Sequence, residues 1–321
     1  MASGGSFRAT LLRLLGSEVA ALLSDPEVTE VYTVEGDSCL WVDRLGEGRG
    51  RSGVEVPAER AEMLLNAVAS GHGVKLGPGQ PVLSAELPEG MGRLQGFLSP
   101  VTRQAFFVLR KPAGRVFSLA ELTASGFVAP EAAEVLRQAI AAHETIVVVG
   151  GTSTGKTTFL NSLLLELARL CPQERVGILE DTPELSCSSP DFFRLRTSES
   201  LDLARLVKEA LRTSPQRLVI GEVRDHAALA MLDAWNTGHP GGLATLHANG
   251  PHEALIRLST LVQRANVPPQ PELIAATVSV LVHLAGTTRA TRRVAGLARV
   301  DGFSSKSGHF QVRTLHERTA P

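Results

Sequence analysis

The chain has 321 residues, of which 43% are hydrophobic and 20% charged, and its formal net charge at pH 7 is -1. This length predicts about two domains, each large enough to bury a core without disulfides. The composition excludes an intrinsically disordered chain. A net charge so close to zero gives no overall field that attracts DNA or an acidic bilayer, so any such contact has to be local.

Cysteines and apolar runs indicate a cytoplasmic protein. Cys39, Cys171 and Cys187 form no CxxC pair, which argues against a disulfide framework and a zinc site and favours a reducing cytosol. The longest apolar stretch, residues 273–285, is interrupted by polar residues and is shorter than the roughly 20 residues that span a bilayer. Residues 11–23 carry charges inside their apolar pattern, which predicts a surface helix and not a signal peptide.

The amino-terminal third predicts a small α/β domain over residues 1–111. Its first helix ends before Asp25-Pro26, because proline disfavours helical geometry in the residue before it. Two β-branched or aromatic runs around the Gly36-Asp37 turn predict a hairpin. The predicted elements, which end before Lys111-Pro112, are a helix over 7–23, strands over 28–34 and 38–45, a helix over 57–69 and, after the glycine- and proline-rich segment 71–92, two further strands.

A change of pattern separates this region from the rest of the chain. Turn residues at both ends of residues 112–130 predict an interdomain linker. From residue 131 helices and strands alternate, which predicts a parallel sheet covered by helices in a second domain, 131–321. The predicted helices span 131–143, 156–170, 201–213 and 226–237, and the predicted strands span 144–149, 175–180, 217–223 and 242–247.

The stretch GGTSTGKTTF, residues 150–159, predicts a phosphate-binding loop. It matches GxxxxGK[ST] between an apolar strand and a helix, the context in which backbone amides curl around a phosphate at a helix amino terminus. Lys156 is predicted to reach the β- and γ-phosphates and Thr157 to offer its hydroxyl to Mg²⁺. The predicted nucleotide-binding residues are Gly150, Gly151, Thr152, Ser153, Thr154, Gly155, Lys156, Thr157 and Thr158.

Acidic residues at two strand ends predict the groups needed for hydrolysis, because some group must orient the attacking water. RLVIGEVR, residues 217–224, is an apolar strand whose end carries Glu222, the candidate water-orienting base. ILEDTPEL, residues 178–185, ends a neighbouring strand with Glu180 and Asp181. These two residues, with Thr157 and Glu222, are predicted to surround Mg²⁺ and its waters, and Glu184 of the same segment is a further candidate for this acidic shell.

Several motifs together resemble the secretion ATPases of type IV secretion, type II secretion and type IV pili. AWNTGH, followed by GG and ATLHAN, is most similar to the conjugal-transfer, TrbB-type branch. The four-cysteine zinc module of type II secretion relatives is impossible with three cysteines. The resemblance covers most of the chain and rests on GGTSTGKTT, ILEDTPEL, RLVIGEVRD and AWNTGHPGGLATLHANG, with LWVDRLGEGR, LPEGMGRLQGFLSP and VLRKP towards the amino terminus.

The resemblance implies an α/β protein with a RecA-like P-loop motor domain and a smaller PAS-like α/β domain before it. It further implies a homo-hexameric ring that binds ATP and Mg²⁺ between the two domains and partners among the inner-membrane components of a secretion or conjugation complex. The expected location is the cytoplasm, peripheral to the inner membrane. His247 then matches a sensor of the γ-phosphate, and Arg110 and Arg93 match arginines that the amino-terminal domain directs towards the phosphates.

The sequence lacks the motifs of two other classes of phosphate-loop enzyme. The absence of an NKxD-type guanine reader argues against a GTPase, and the absence of a substrate lid argues against a small-molecule kinase. A pilus assembly or retraction motor and a nucleotide-switched scaffold with little turnover stay open. With 4% aromatic residues and no basic-aromatic interleaving, no direct sequence-specific nucleic-acid binding is predicted. The arginines at 289, 292 and 293 are predicted to lie in a solvated loop.

Overall fold

The computed structural model describes residues 4–318 except 46, 113, 199 and 289, and the chain forms two compact units, Met1–Gly114 and Arg115–Pro321. This division differs from the predicted linker over 112–130. Leu119, Leu122 and Val128 are buried in the core of the second unit, so most of that segment belongs to the second unit. The glycines and prolines of residues 112–130 had suggested a flexible linker, but the apolar side chains between them pack into the core of the second unit.

The first unit is an antiparallel sheet with two long helices. In its described part six strands are hydrogen-bonded in the order β3-β2-β1-β6-β5-β4, and each neighbouring pair is antiparallel. The strands β3 and β4 were not predicted. The elements are α1 Gly4–Ser24, β1 Val28–Val34, β2 Asp37–Arg44, β3 Gly48–Glu55, α2 Ala58–Gly71, β4 Val82–Leu87, a 3-10 turn Pro88–Gly90, β5 Gly92–Phe97 and β6 Phe106–Arg110.

The core of the first unit lies between the helices and one face of this sheet. Leu11 of α1 and Leu64 of α2 are buried with Leu40 of β2 and other apolar strand residues. On the opposite face Trp41 stacks on Tyr32, with 6.2 Å between the ring centroids. The Trp41 side chain is partly exposed. Alternation of buried and partly exposed residues along β1 and β2 thus follows the period of two expected for a strand.

The second unit is a mostly parallel sheet covered by helices. Among the described residues, eight strands have the order β14-β13-β12-β7-β11-β10-β8-β9; β12 to β9 are parallel, and β13 and β14 are antiparallel. The elements are α3 Leu119–Ala124, α4 Pro130–Ala141, β7 Ile146–Gly150, α5 Lys156–Leu170, β8 Val176–Glu180, β9 Phe192–Arg196, α6 Leu203–Leu211, β10 Arg217–Val223, α7 Ala227–Asn236, β11 Leu243–His247, α8 Pro251–Gln263, α9 Pro271–Thr277, β12 Val280–Ala285, β13 Arg293–Ser304 and β14 His309–Glu317.

The central strands of this sheet are buried on both faces. In β7, Val147 and Val149 face one core cluster and Ile146 and Val148 face the other, which explains the uninterrupted apolar run in the sequence. Because β11 lies between β7 and β10, the carboxyl ends of these three strands meet at one edge. Over the described parts of both units, no helix has the length and apolar character needed to cross a bilayer.

A buried ion pair holds the opposite edge of the sheet. Arg217, at the first position of β10, is 0% exposed, and its Nε donates a hydrogen bond of 2.5 Å to Glu174. Its two remaining nitrogens donate to the carbonyl oxygens of Gly241 at 3.1 Å and Ile140 at 2.7 Å. One guanidinium therefore links β10 to the end of α4 and to the segment that precedes β11.

Replacing Arg217 with alanine is expected to lower the free energy of unfolding by about 3 kcal/mol, the lower end of the cost of breaking a buried ion pair. It removes the charged partner of one oxygen of the largely buried Glu174 carboxylate, while the other oxygen stays 2.8 Å from Nε2 of His143. Urea denaturation of the full chain measures this change. Arg313→Ala is the control: it breaks an exposed pair with Asp301, which is worth at most about 1 kcal/mol. Equal destabilisation by the two substitutions would contradict a structural role for the buried pair.

The glycine pair before β11 is required by packing. Trp235 is 3% exposed, and its Nε1 donates to the carbonyl oxygen of Leu218 at 3.0 Å. A Cβ at Gly242 would lie 1.9 Å from that Nε1, and a Cβ at Gly241, which has φ +75°, would lie 1.9 Å from Nη1 of Arg217. Both positions therefore exclude any larger residue.

Candidate functional site

The predicted phosphate loop connects the end of β7 to the start of α5. Gly155 caps the helix in a left-handed conformation with φ 93°, which glycine adopts without steric cost. Gly150 is required for another reason: a Cβ there would lie 2.7 Å from both the Leu284 carbonyl oxygen and Thr154 Oγ1. The amides of the first turn of α5, which starts at Lys156, have no partner within the helix and are typical anion-binding groups.

Lys156 lies at the centre of the site and is only 8% exposed. Its Nζ donates to the carbonyl oxygen of Gly151 at 2.8 Å and lies 3.3 Å from Nδ1 of His247. Burial lowers the pKa of the Lys156 ammonium, and the nearby Glu222 carboxylate opposes this effect. The cation that is predicted to bind phosphate is thus already in place at the loop.

His247, the last residue of β11, joins the lysine to the predicted base. Its Nε2 lies 3.1 Å from Oε1 of Glu222. An ammonium group can only donate, so Nδ1 accepts from Lys156, and the ring proton of the neutral histidine is assigned to Nε2, which donates to Glu222. Partial burial and then the charge of Lys156 lower the pKa of His247, so the ring is neutral at pH 7.

We expect the pKa of His247 to rise in a Lys156→Ala variant and to fall further in a Glu222→Gln variant. The first substitution removes a cation that opposes protonation, and the second removes an anion that favours it. In the wild-type protein the pKa should lie below the ordinary 6.5. The unfolded chain therefore binds the proton more readily than the native one, and the free energy of unfolding decreases as pH falls from 6.5 towards the lowered pKa. An NMR titration of the imidazole measures each value; a wild-type pKa above 6.5 would contradict the assigned hydrogen bonds.

Glu222 is held as a carboxylate. Its Oε2 accepts a hydrogen bond from Arg224, whose other terminal nitrogen lies 3.9 Å from Asp181. Burial by itself raises the pKa of Glu222, but the hydrogen bond and charge of Arg224, together with His247 and Lys156, outweigh it, and the net pKa is lowered. Lys156, His247, Glu222 and Arg224 therefore form one connected row along the carboxyl edge of the sheet, on the same side as the phosphate loop.

Glu180, the last residue of β8, is buried and hydrogen-bonded. It is 2% exposed, and its Oε1 accepts hydrogen bonds of 2.8 Å from the backbone amides of Glu184 and Leu185. Its Oε2 lies 3.3 Å from Nε of Arg194. These contacts hold the segment after β8, and the predicted role of Glu180 in the metal shell stays a prediction.

Two polar residues that hold the same segment were missed by the sequence analysis. Asn161, buried on α5, donates to the Glu184 carbonyl oxygen at 3.2 Å and accepts from the Ser186 amide at 2.7 Å. Arg194, on β9, donates to the Leu185 carbonyl oxygen. An asparagine on the apolar face of a helix was a signal available in the sequence; the contribution of Arg194 depends on strand pairing that the sequence does not show.

The remaining predicted residues are those that could hold a magnesium ion together with phosphate. Thr157 is the second residue of α5. Asp181 and Glu222 lie at the ends of the neighbouring strands β8 and β10, and 41% of the Asp181 side chain is exposed. Within the described residues no three His, Cys, Asp or Glu side chains form a metal-binding group. Magnesium at a phosphate loop needs none, since its ligands are a hydroxyl, phosphate oxygens and waters.

Arg93 and Arg110 both lie in the first unit. They are directly opposite each other in the antiparallel pair β5 and β6, and both are exposed. Nη2 of Arg110 is 3.7 Å from Oε2 of Glu30. The structure thus brings the two arginines together on one sheet, and their predicted action on phosphate stays a prediction.

Comparison with known proteins identifies relatives of the whole chain. Residues 83–313 match the model of the family described as "Type II/IV secretion system protein". A probable conjugal transfer protein TrbB of Sinorhizobium fredii is 38% identical over 304 residues, which cover 95% of this chain and 92% of the relative. Conjugal transfer protein TrbB of Rhizobium radiobacter is 36% identical over 93% of this chain and 91% of its own length.

A solved structure shows the same fold. The X-ray structure of the ATPase DotB from Legionella pneumophila superposes with a TM-score of 0.60 over 92% of this chain and 78% of that chain, at 18% identity. The predicted fold class, an α/β motor domain with a smaller α/β domain before it, is confirmed. From the matched residues and the two similar conjugal transfer proteins, the chain belongs to the type II/IV secretion system protein family.

Proposed function

We propose that this protein is a Mg²⁺-dependent ATPase that drives a type IV secretion or conjugal transfer system from the cytoplasmic side of the inner membrane. The observation that carries the proposal is the row of Lys156, His247 and Glu222 beside the phosphate loop, with contacts of 3.3 and 3.1 Å. Similarity to two conjugal transfer proteins supports the choice of system. Membership of the secretion family supports a motor over an enzyme that makes a product.

In this proposal the phosphate loop and Lys156 bind the triphosphate. Lys156 exchanges its bonds to the Gly151 carbonyl and His247 for phosphate oxygens, which are stronger acceptors because they are charged. The amides at the start of α5 bind the same anion. Thr157, with Asp181 and Glu222 at the neighbouring strand ends, would hold Mg²⁺ through its waters, and the ion would supply charge neutralisation at the β- and γ-phosphates.

Glu222 then orients the attacking water and accepts its proton. Its lowered pKa keeps the carboxylate ionised at neutral pH, as a proton acceptor must be before the reaction. Arg224 fixes one carboxylate oxygen and His247 the other, so the base has little freedom to turn away. His247 contacts both the base and the phosphate-binding lysine, which suits the predicted role as a sensor of the γ-phosphate.

The active assembly in this proposal is a homo-hexameric ring in which hydrolysis moves the domains. A motor of this kind gains from coupled neighbours, because the free energy released at one site biases a two-state element shared with the next. Analytical ultracentrifugation with a non-hydrolysable ATP analogue and Mg²⁺ is expected to show a hexamer. A monomer across micromolar concentrations would argue against the ring.

Hydrolysis itself is tested with the purified wild-type chain. We expect phosphate release from ATP in the presence of Mg²⁺, and loss of this release when EDTA removes the metal. Binding of ATP is measured in parallel by equilibrium titration. Tight binding without any phosphate release, by a protein that has been shown to form the ring, would instead support a nucleotide-switched scaffold.

A further inference from the structure

The turn that follows β12 lies beside the phosphate loop. Leu284 of β12 is paired in register with Gly150, the first residue of that loop. Gly286 has φ +85°, and a Cβ there would lie 2.1 Å from the carbonyl oxygen of Thr291, so the chain closes tightly on itself. The hydroxyls of Thr288 and Thr291 are 2.8 Å apart and hydrogen-bonded. The described residues of this turn are therefore held by local contacts next to the candidate nucleotide site.

Arg292 connects this turn to the phosphate loop. Its backbone amide donates to the Thr288 carbonyl oxygen at 2.8 Å, and its Nε donates to the carbonyl oxygen of Ser153 at 2.9 Å. The sequence had predicted a solvated loop for the three arginines in this region. Arg292 lies in a loop as predicted, and its guanidinium in addition bonds to a residue 139 positions away. Arg293 is instead the first residue of β13, and the arginine at 289 lies outside the described residues.

Ser153 is the position at which the loop needs support. Its φ of 61° places a residue with a side chain in the left-handed region, which is unfavourable for residues other than glycine. In a planar trans peptide the carbonyl and the next amide point in opposite directions. A bond from Arg292 to the Ser153 carbonyl therefore directs the Thr154 amide to the other side of the chain. The Thr154 hydroxyl, bonded to Gly151 at 3.0 Å, restrains the same peptide.

We propose that Arg292 is a positioning residue of the nucleotide site, which acts through Ser153 and presets the phosphate loop for binding. This inference rests on the proposed binding of a nucleoside triphosphate. Arg292 keeps a carbonyl dipole turned away from the anion and adds a positive charge behind the loop. Because its effect is on loop geometry before the reaction, it contributes to affinity for the phosphate groups and leaves the cleavage step unchanged.

Arg292→Ala tests this role by separating affinity from turnover. We expect the Kd of a fluorescent ATP analogue to rise about tenfold, equivalent to about 1.4 kcal/mol, while kcat at saturating ATP stays within about twofold of the wild-type value. Arg292→Lys retains a charged donor and should recover most of the affinity. Arg313→Ala, which removes an exposed arginine bonded to Asp301 in the same sheet, serves as the matched control and should bind as the wild type does.

Three results for the variants would contradict the role of Arg292. The inference is overturned by wild-type affinity in Arg292→Ala, by a lysine variant as weak as the alanine variant, or by an equal loss in Arg313→Ala. Thermal unfolding of each variant is measured alongside, and the lysine variant provides the comparison if the alanine variant fails to fold. A wild-type chain that binds no analogue overturns the proposed function itself, which is a separate result.

Discussion

Replacing Lys156 with alanine is expected to abolish detectable ATP hydrolysis and to weaken ATP binding strongly. The ammonium is nearly buried against the loop, where a positive charge aimed at phosphate acts with little solvent screening. Loss of one such preorganised donor typically lowers kcat by about 10²–10³, and here the same group also supplies binding. Phosphate release and equilibrium titration with an ATP analogue measure the two effects separately.

Lys208→Ala is the matched control for this substitution. Lys208 lies on the exposed face of α6 in the same unit, so its removal changes the net charge by the same amount without touching the loop. The control should bind and hydrolyse ATP as the wild-type chain does. If Lys156→Ala keeps wild-type turnover, the loop at residues 150–155 is not the catalytic nucleotide site.

Replacing Glu222 with glutamine is expected to lower turnover by about 10²–10⁴, the usual contribution of a general base, with ATP binding retained. A glutamine side chain has the same shape, and its amide oxygen can still accept a hydrogen bond from His247 or Arg224. It cannot take a proton from water. Single-turnover hydrolysis of bound ATP isolates this step from nucleotide exchange.

Glu209→Gln provides the corresponding control, since Glu209 forms a surface pair with Arg212 at the end of α6. It should leave both binding and turnover unchanged. Unaltered turnover in Glu222→Gln would remove Glu222 as the base. Loss of ATP binding in that variant would show instead that the carboxylate serves to hold Lys156 and Arg224 in place.

In the second unit the elements from α4 to β11, except β9, were predictable because each has a clear local signal. The strands β9, β12, β13 and β14 and the helices α8 and α9 were not predicted. Apolar runs such as 146–149 mark strands buried on both faces, and the helices between them carry a 3.6-residue period. By contrast, β3 has the sequence GRGRSGVE and a burial pattern that alternates only between partly exposed and exposed. With no buried apolar stripe, it gives no periodic signal, and pairing with β2 forms it instead.

The site was predictable as a set of residues but not as an arrangement. Motif residues at strand ends identified Lys156, Glu222 and His247, since parallel strands deliver their carboxyl ends to one edge. The strand β11 lies between β7 and β10, and this places His247 between Lys156 and Glu222. Local sequence pattern does not determine this strand order. Spacing placed Glu180 beside the metal and Arg292 in a solvated loop. The amides that bond to Glu180 and the Ser153 carbonyl oxygen that bonds to Arg292 depend on tertiary structure, which spacing does not show.

The two tryptophans of the chain, Trp41 and Trp235, lie in different units. Trp235 is sealed in the second unit with its indole N–H bonded to the Leu218 carbonyl oxygen, whereas the ring of Trp41 is in partial contact with solvent. Each half of the protein thus carries its own intrinsic fluorophore. The fluorescence of a Trp41→Phe chain reports on the second unit alone, and that of a Trp235→Phe chain reports on the first. If the two variants show the same unfolding transition in denaturant, the units unfold together; if the transitions differ, the units unfold independently.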